Sequence, residues 1–135
     1  MIRIRGLDHV VIRATDMKEM IRFYCDVLGC TVERELSPEF GLVQLRAGNS
    51  LIDIVAVDGT IGRLGGSAPG KEGRNMDHFC VRLERFEEKA IRAHLSRFGV
   101  HGSNLETRYG AEGNGPSIYV QDPEGNTVEL KGPPH

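Results

Sequence analysis

Two stretches of the chain match position by position. His9 lies in LDHVVIR and His78 in MDHFCVR, each a short β-rich run with the histidine third and an aspartate immediately before it. After the first run, Asp16 precedes a segment with Glu19 three residues on, and Met20, Tyr24, Val27 and Leu28 fall at helical spacing before Gly29. That pattern predicts a capped amphipathic helix. After the second run, Phe86, Ala90, Ile91, Leu95 and Phe98 repeat the stripe, and Gly99 supplies a left-handed stop. Each half then closes on a hairpin signal. Gly48-Asn49 precedes Leu51 to Val57, and Asp122-Pro123-Glu124-Gly125-Asn126 precedes Thr127 to Leu130, so that GNSLIDI in one half answers GNTVEL in the other.

A strand, a helix and a few antiparallel strands, repeated about 70 residues apart, describe a duplicated βαβββ unit of the α+β class. The 135 residues fit one domain, or two very small units fused around a shared core. Neither unit is large enough to bury its sheet alone, so the expected arrangement sets the helices outside and the concave sheet faces around a cavity. Module one is expected over about 5–58 and module two over about 76–131. Between them, residues 58–75 hold six glycines and one proline, which predicts a linker or mobile loop without regular structure.

Charge narrows the partners. Seventeen basic against 19 acidic side chains leave a net charge of −2 with only 6% aromatic residues. The basic field that phosphate neutralisation requires is missing, so no nucleic-acid partner is expected. The longest apolar runs are about four or five residues, against roughly 18 for a spanning helix, and MIRIRGLDH lacks a signal-peptide core. The expectation is a cytoplasmic protein with no membrane partner. Three cysteines, Cys25, Cys30 and Cys80, cannot all pair within one chain and read as ordinary buried thiols in a reducing compartment.

Strand alternation places Leu7, His9 and Val11 on one face and Asp8, Val10 and Ile12 on the other. In the second copy Met76, His78 and Cys80 oppose Asp77, Phe79 and Val81. With the apolar sets under the helices, both histidines point to the concave side. Asp53 between Ile52 and Ile54, and Glu129 between Val128 and Leu130, point the same way. Two imidazoles and one or two carboxylates converging from strands suit a divalent first-row metal with positions left for water and substrate. A single strand histidine is more commonly a structural, hydrogen-bonded residue; it is the repetition in equivalent places that argues for ligation. A carboxylate between apolar neighbours needs a cation, for which a metal or Lys131 on the same face would serve. His94, His101 and His135 read as solvated bystanders.

From LDHVVI through FYCDVLG to IYVQDPEGNTVEL the sequence resembles the vicinal oxygen chelate superfamily, which includes glyoxalase I, fosfomycin-resistance thiol transferases, methylmalonyl-CoA epimerases and extradiol dioxygenases. The last segment is the most specific, with its strand, Asp-Pro turn, Gly-Asn and terminal Glu in family order. The resemblance implies two βαβββ modules in a half-open barrel around one divalent metal per site (Ni, Mn, Zn, Co or Fe), held by His9, His78 and Glu129. In glyoxalase I a fourth ligand, a glutamate, occupies the strand position of Asp53. The shorter aspartate would reach the metal directly, through water, or only by a hydrogen bond to a metal-bound water. The resemblance also implies a homodimer with sites shared between subunits, His9 and Asp53 from one chain and His78 and Glu129 from the other.

If Gln121 pairs with Thr127 across the turn, Tyr119 stands opposite Glu129, where a phenol can hydrogen-bond an oxyanion. Arg74, Arg108 and Tyr109, in or beside loops near strand ends, are candidates to clamp an anionic substrate tail, and the 58–75 segment is a candidate lid.

A metal chelating two adjacent substrate oxygens makes removal of a proton α to a carbonyl feasible near neutral pH. The base would be a metal-bound hydroxide or a carboxylate, Glu129 or Asp53. The resemblance therefore implies a glyoxalase-type lyase or isomerase acting on a small molecule with vicinal oxygens. Extradiol dioxygenase or thiol transferase chemistry on the same site is the alternative, and a drug-sequestering module like the bleomycin-resistance proteins is the non-enzymatic rival.

Overall fold

The computed structural model describes residues Met1–His135 and resolves into two compact units, Met1–Asn75 and Met76–His135. Each unit is a strand, a helix and three further strands, in which the last strand returns beside the first. Unit one runs β1 (His9–Ala14), α1 (Met17–Arg22), β2 (Thr31–Glu35), β3 (Leu42–Ala47) and β4 (Ser50–Ala56), with sheet order β1-β4-β3-β2. Unit two runs β5 (Phe79–Arg82), α2 (Glu88–Arg97), β6 (Glu106–Gly110), β7 (Gly113–Gln121) and β8 (Thr127–Lys131), in the order β5-β8-β7-β6. The first pair in each sheet is parallel and the others antiparallel. No helix is long and apolar enough to cross a membrane.

The strict period of two decides which face of each sheet packs on its helix. In unit one Ile12, Ala14, Val43, Leu45, Ile52 and Ile54 are buried together with Met20, Phe23, Tyr24 and Val27 of the helical segment. In unit two Ile118, Val120, Val128 and Leu130 are buried with Leu95 of α2.

The first helix starts as the sequence predicts. Asp16 is its N-cap and accepts a hydrogen bond from the Glu19 backbone N–H at 3.2 Å. It does not continue as a regular α-helix: Phe23–Val27 form a π-turn. The wider turn lets Phe23, Tyr24 and Val27 all be buried, Phe23 and Tyr24 meeting edge to face at 5.2 Å. Gly29 then takes φ 79°, and the Cys30 N–H closes the end on the Tyr24 carbonyl at 2.9 Å.

In unit two Glu87 caps α2 by accepting from the Ala90 N–H at 2.9 Å, and Gly99 stops it at φ 68°. The apolar stripe is narrower than predicted. Phe98 falls at the C-cap and is exposed, Ala90 is exposed, and Leu95 alone is fully buried, because the helix ends at Arg97 before Phe98 can turn inward.

The glycine-rich segment contains one short 3-10 turn, Gly62–Gly65, where no regular structure was expected. A Cβ at Gly62 would stand 1.8 Å from the Ala56 carbonyl oxygen, so glycine is what permits that close approach to β4. The segment is fastened to β1. Arg13 donates to the carbonyls of Gly66 and Ser67 at 2.5 and 2.9 Å, and the Asn75 side chain exchanges two hydrogen bonds with the Arg13 backbone, at 2.9 and 3.0 Å.

Candidate functional site

The two sheets use the same register to present polar side chains on the face away from the helix. In unit one Val11 is level with Asp53, and Asp53 with Gln44. In unit two Cys80 is level with Glu129, and Glu129 with Tyr119. His9 and His78 each stand two residues before the first member of these rows, so each unit carries a histidine and a carboxylate at matching register positions. The Gln121–Thr127 pairing forms, and Tyr119 is opposite Glu129.

Unit two brings the more complete set together. His78 Nε2 lies 3.4 Å from Glu129 Oε1. The other ring nitrogen, Nδ1, is 2.5 Å from the Asp77 carboxylate. Glu129 is only 6% exposed. Its second oxygen accepts a 2.7 Å hydrogen bond from Ser117 Oγ. Burial pushes the Glu129 carboxyl up, but hydrogen bonds from Ser117, Tyr119 and Cys80 and the nearby His78 outweigh it and hold the group below its ordinary value. The Tyr119 phenol is raised, chiefly by desolvation, with Arg108 opposing and Glu129 adding to the shift. Arg108 Nε donates to the Tyr119 hydroxyl at 3.2 Å, its guanidinium lies 5.9 Å from the ring centre, and it also pairs with Glu106.

Unit one carries the other histidine and carboxylate, His9 and Asp53. His9 Nδ1 is 2.7 Å from the Asp8 carboxylate, whose hydrogen bond is the main reason the imidazole is raised above its ordinary 6.5; desolvation opposes and Asp53 adds to the rise. Asp53 is 4% exposed. Gln44 Nε2 donates to its Oδ2 at 3.1 Å, while Oδ1 has no hydrogen-bond partner. A buried carboxylate oxygen left unpaired is costly in an apolar setting.

The spacing of one donor pair, His78 and Glu129, is compatible with a divalent ion. Two ligands at about 2.1 Å around a common centre stand roughly 3.0 to 3.4 Å apart, the spacing that His78 and Glu129 already have. No group of three or more His, Cys, Asp or Glu side chains within the chain is gathered closely enough to hold a metal.

Several sequence expectations need correction. Asp8 and Asp77 do not face away from their histidines. Both precede the first ladder residue of their strand or lie outside it, so the pleat does not fix their direction and each carboxylate folds onto the neighbouring ring. Lys131 is not the partner of Glu129; its Nζ is buried with no hydrogen-bond partner. Cys80 is not a buried thiol but an exposed residue beside His78. Its sulfur is nevertheless packed closely enough that desolvation, with the Glu129 charge, pushes it up to about 12. Arg74 is exposed near the end of unit one. Tyr109 is 82% exposed but lines a cavity of about 330 Å³ with His78, Cys80, Arg82, Glu129 and Lys131. His135 is exposed, as expected, with its Nε2 3.4 Å from Thr107 Oγ1.

Sequence reasoning missed Ser117 and Gln44. Both were available from the register, since Ser117 is two residues before Tyr119 and Gln44 occupies the place in unit one that Tyr119 has in unit two.

Solved structures share the fold. An integron cassette protein from V. Cholerae is 23% identical, covers 98% of each chain and superposes with a TM-score of 0.77. A lactoylglutathione lyase from Agrobacterium tumefaciens is 18% identical over 95% of this chain and 93% of that one, with a TM-score of 0.67. A genomically encoded fosfomycin resistance protein, FosX, from Listeria monocytogenes is 18% identical over 97% and 95%, with a TM-score of 0.68. No curated protein sequence matches. The family described as Glyoxalase/Bleomycin resistance protein/Dioxygenase superfamily matches residues 6–130, nearly the full span of both repeats, and the chain belongs to that superfamily.

Proposed function

We propose that the protein is a divalent-metal-dependent enzyme of the glyoxalase type, a lyase or isomerase acting on a small molecule that presents two adjacent oxygens. The observation that carries this reading is the His78–Glu129 pair, 3.4 Å apart and with the histidine's far nitrogen already held by Asp77. A carboxylate on Nδ1 fixes the tautomer that leaves Nε2 free to ligate. His9, oriented by Asp8 in the same way, and Asp53 with its unpaired oxygen are the remaining ligands in this reading. Each unit supplies two of the four, and a homodimer sharing its sites, His9 and Asp53 from one copy with His78 and Glu129 from another, completes the set.

When bound, the ion stabilises negative charge developing on the substrate's oxygens. The chain's own residues do the rest. Tyr119, held by Arg108, directs a phenolic hydrogen beside Glu129, where it can donate to a substrate oxyanion. Glu129, kept ionised by its donors, and Asp53 are the groups able to accept a proton from substrate carbon. That a similar fold in Agrobacterium tumefaciens is a lactoylglutathione lyase supports the reaction class.

Metal analysis of protein purified without added metal, followed by Mn²⁺ and Ni²⁺ titration, tests the reading. The wild type is expected to bind, and His9→Ala and His78→Ala to lose binding. A native protein that takes neither ion would favour drug sequestration instead. Mixing the two variants tests shared sites: random exchange of subunits should restore about a quarter of the sites, whereas sites confined to one chain recover none.

A further inference from the structure

The cavity of unit two has one charge that nothing in the structure answers. Its charged lining residues are His78, Arg82, Glu112, Glu129 and Lys131. Arg82 is paired with Glu112, Nε to Oε1 at 2.7 Å. Glu129 is shared by His78, Ser117 and Tyr119. Lys131 is 7% exposed, and its Nζ makes no hydrogen bond. Burying an ammonium without a partner is strongly unfavourable, so a lysine kept there has a ligand to meet.

The strands make room for it. A Cβ at Gly110 would come within 2.6 Å of Lys131 Cε, and one at Gly115 within 2.7 Å of Nζ. Neither glycine has a positive φ, so backbone conformation does not call for glycine at either place. What both positions provide is a channel for the lysine side chain across β6 and β7.

We propose that Lys131 is an anion-binding residue of this cavity, taking a carboxylate or phosphate-type oxyanion of the small molecule that occupies it. The proposal deepens the functional reading above and rests on it for the cavity being the substrate's. It makes the substrate anionic, with its charged group on the Lys131 side of Glu129, toward Tyr109 and Arg82. An oxyanion there supplies acceptors for three unused donors and neutralises the one uncompensated charge.

The test uses metal-free protein titrated by calorimetry with inorganic phosphate and, separately, with lactate, so that the two sources of oxyanion are told apart. Saturable binding of either in the millimolar range or tighter is expected, weakened at least about tenfold in Lys131→Met. Gly110→Ala keeps the charge but displaces the side chain, and it should weaken binding in the same direction. Lys131→Met should unfold at or above the wild-type temperature, which separates loss of the site from loss of the fold. Unchanged affinity in Lys131→Met, or no saturation by either anion in the wild type, overturns the proposal. Mn²⁺ binding is read in parallel. Loss of Mn²⁺ binding in the wild type would count against the metal reading alone, and unaltered anion affinity in Lys131→Met with Mn²⁺ retained would count against the lysine alone.

Discussion

His78 bridges two carboxylates, with Asp77 at 2.5 Å from Nδ1 and Glu129 at 3.4 Å from Nε2. The two contacts do different work. Asp77 is exposed and adjacent in sequence, so it orients the ring at little desolvation cost. Glu129 is buried and hydrogen-bonded by Ser117, so its position is fixed by the sheet before any ligand arrives.

Asp77→Asn should therefore leave the fold intact and weaken divalent-metal binding. Removing the carboxylate that orders a ligating histidine costs about 10- to 100-fold in affinity. Mn²⁺ titration followed by electron paramagnetic resonance reads this directly. An unchanged affinity would mean that Asp77 does not set the ring for ligation.

Ser117→Ala removes a buried donor from an ionised acceptor. Hydrogen bonds to charged groups contribute about 1.5 to 3 kcal/mol, so urea unfolding at neutral pH should show a loss in that range. The equivalent removal of an exposed donor, Arg46→Ala, which breaks its pair with Glu33, should cost far less because solvent screens that pair.

Stability should fall on acidification, and Glu129 should account for part of the fall. Its folded-state carboxyl is held below the ordinary 4.5, with Ser117 and Tyr119 overcoming the effect of burial. A depressed carboxylate adds stability that is present above its unfolded value and is lost as pH falls through the folded value. His9 has the opposite sign. Raised above 6.5 chiefly by Asp8, it adds stability below that value that is lost as pH rises through the raised one. Urea midpoints measured down from pH 6 should drop less steeply in Glu129→Gln than in the wild type. NMR titration of the His9 ring should move back toward 6.5 in Asp8→Asn.

The fold was legible because the chain states its pattern twice. Val10 and Ile12 in β1 alternate with His9 and Val11, and only one face can be buried under a helix, so the direction of His9 and Asp53 followed from period alone. Tyr119 opposite Glu129 followed from the Asp122 turn, where Asp122 accepts from the N–H groups of Glu124 and Asn126 at 2.9 Å and so fixes the register. What alternation cannot reach lies just outside the ladders. Asp8 and Asp77 escape the pleat and turn onto the histidines. The π-turn at Phe23–Val27 arises from packing two adjacent aromatic rings, which a 3.6-residue period does not describe. Lys131 has the sequence position to pair with Glu129, but its side chain lies instead over Gly110 and Gly115, whose lack of a Cβ leaves room for it.

Asp53 is the side chain at which the proposed metal site and stability make opposite demands. Its Oδ1 is buried without a partner, and its row neighbour Val11 and face neighbour Val55 are apolar. Replacing it with leucine removes the unpaired oxygen and adds apolar contact, at the cost of the single hydrogen bond from Gln44. Asp53→Leu should thus match or exceed the wild type in thermal stability, with a gain of about 1 kcal/mol where the packing accommodates the larger side chain. Metal affinity should fall in the same variant. A clear drop in stability without loss of metal binding would place Asp53 in the structural framework and remove it from the ligand set.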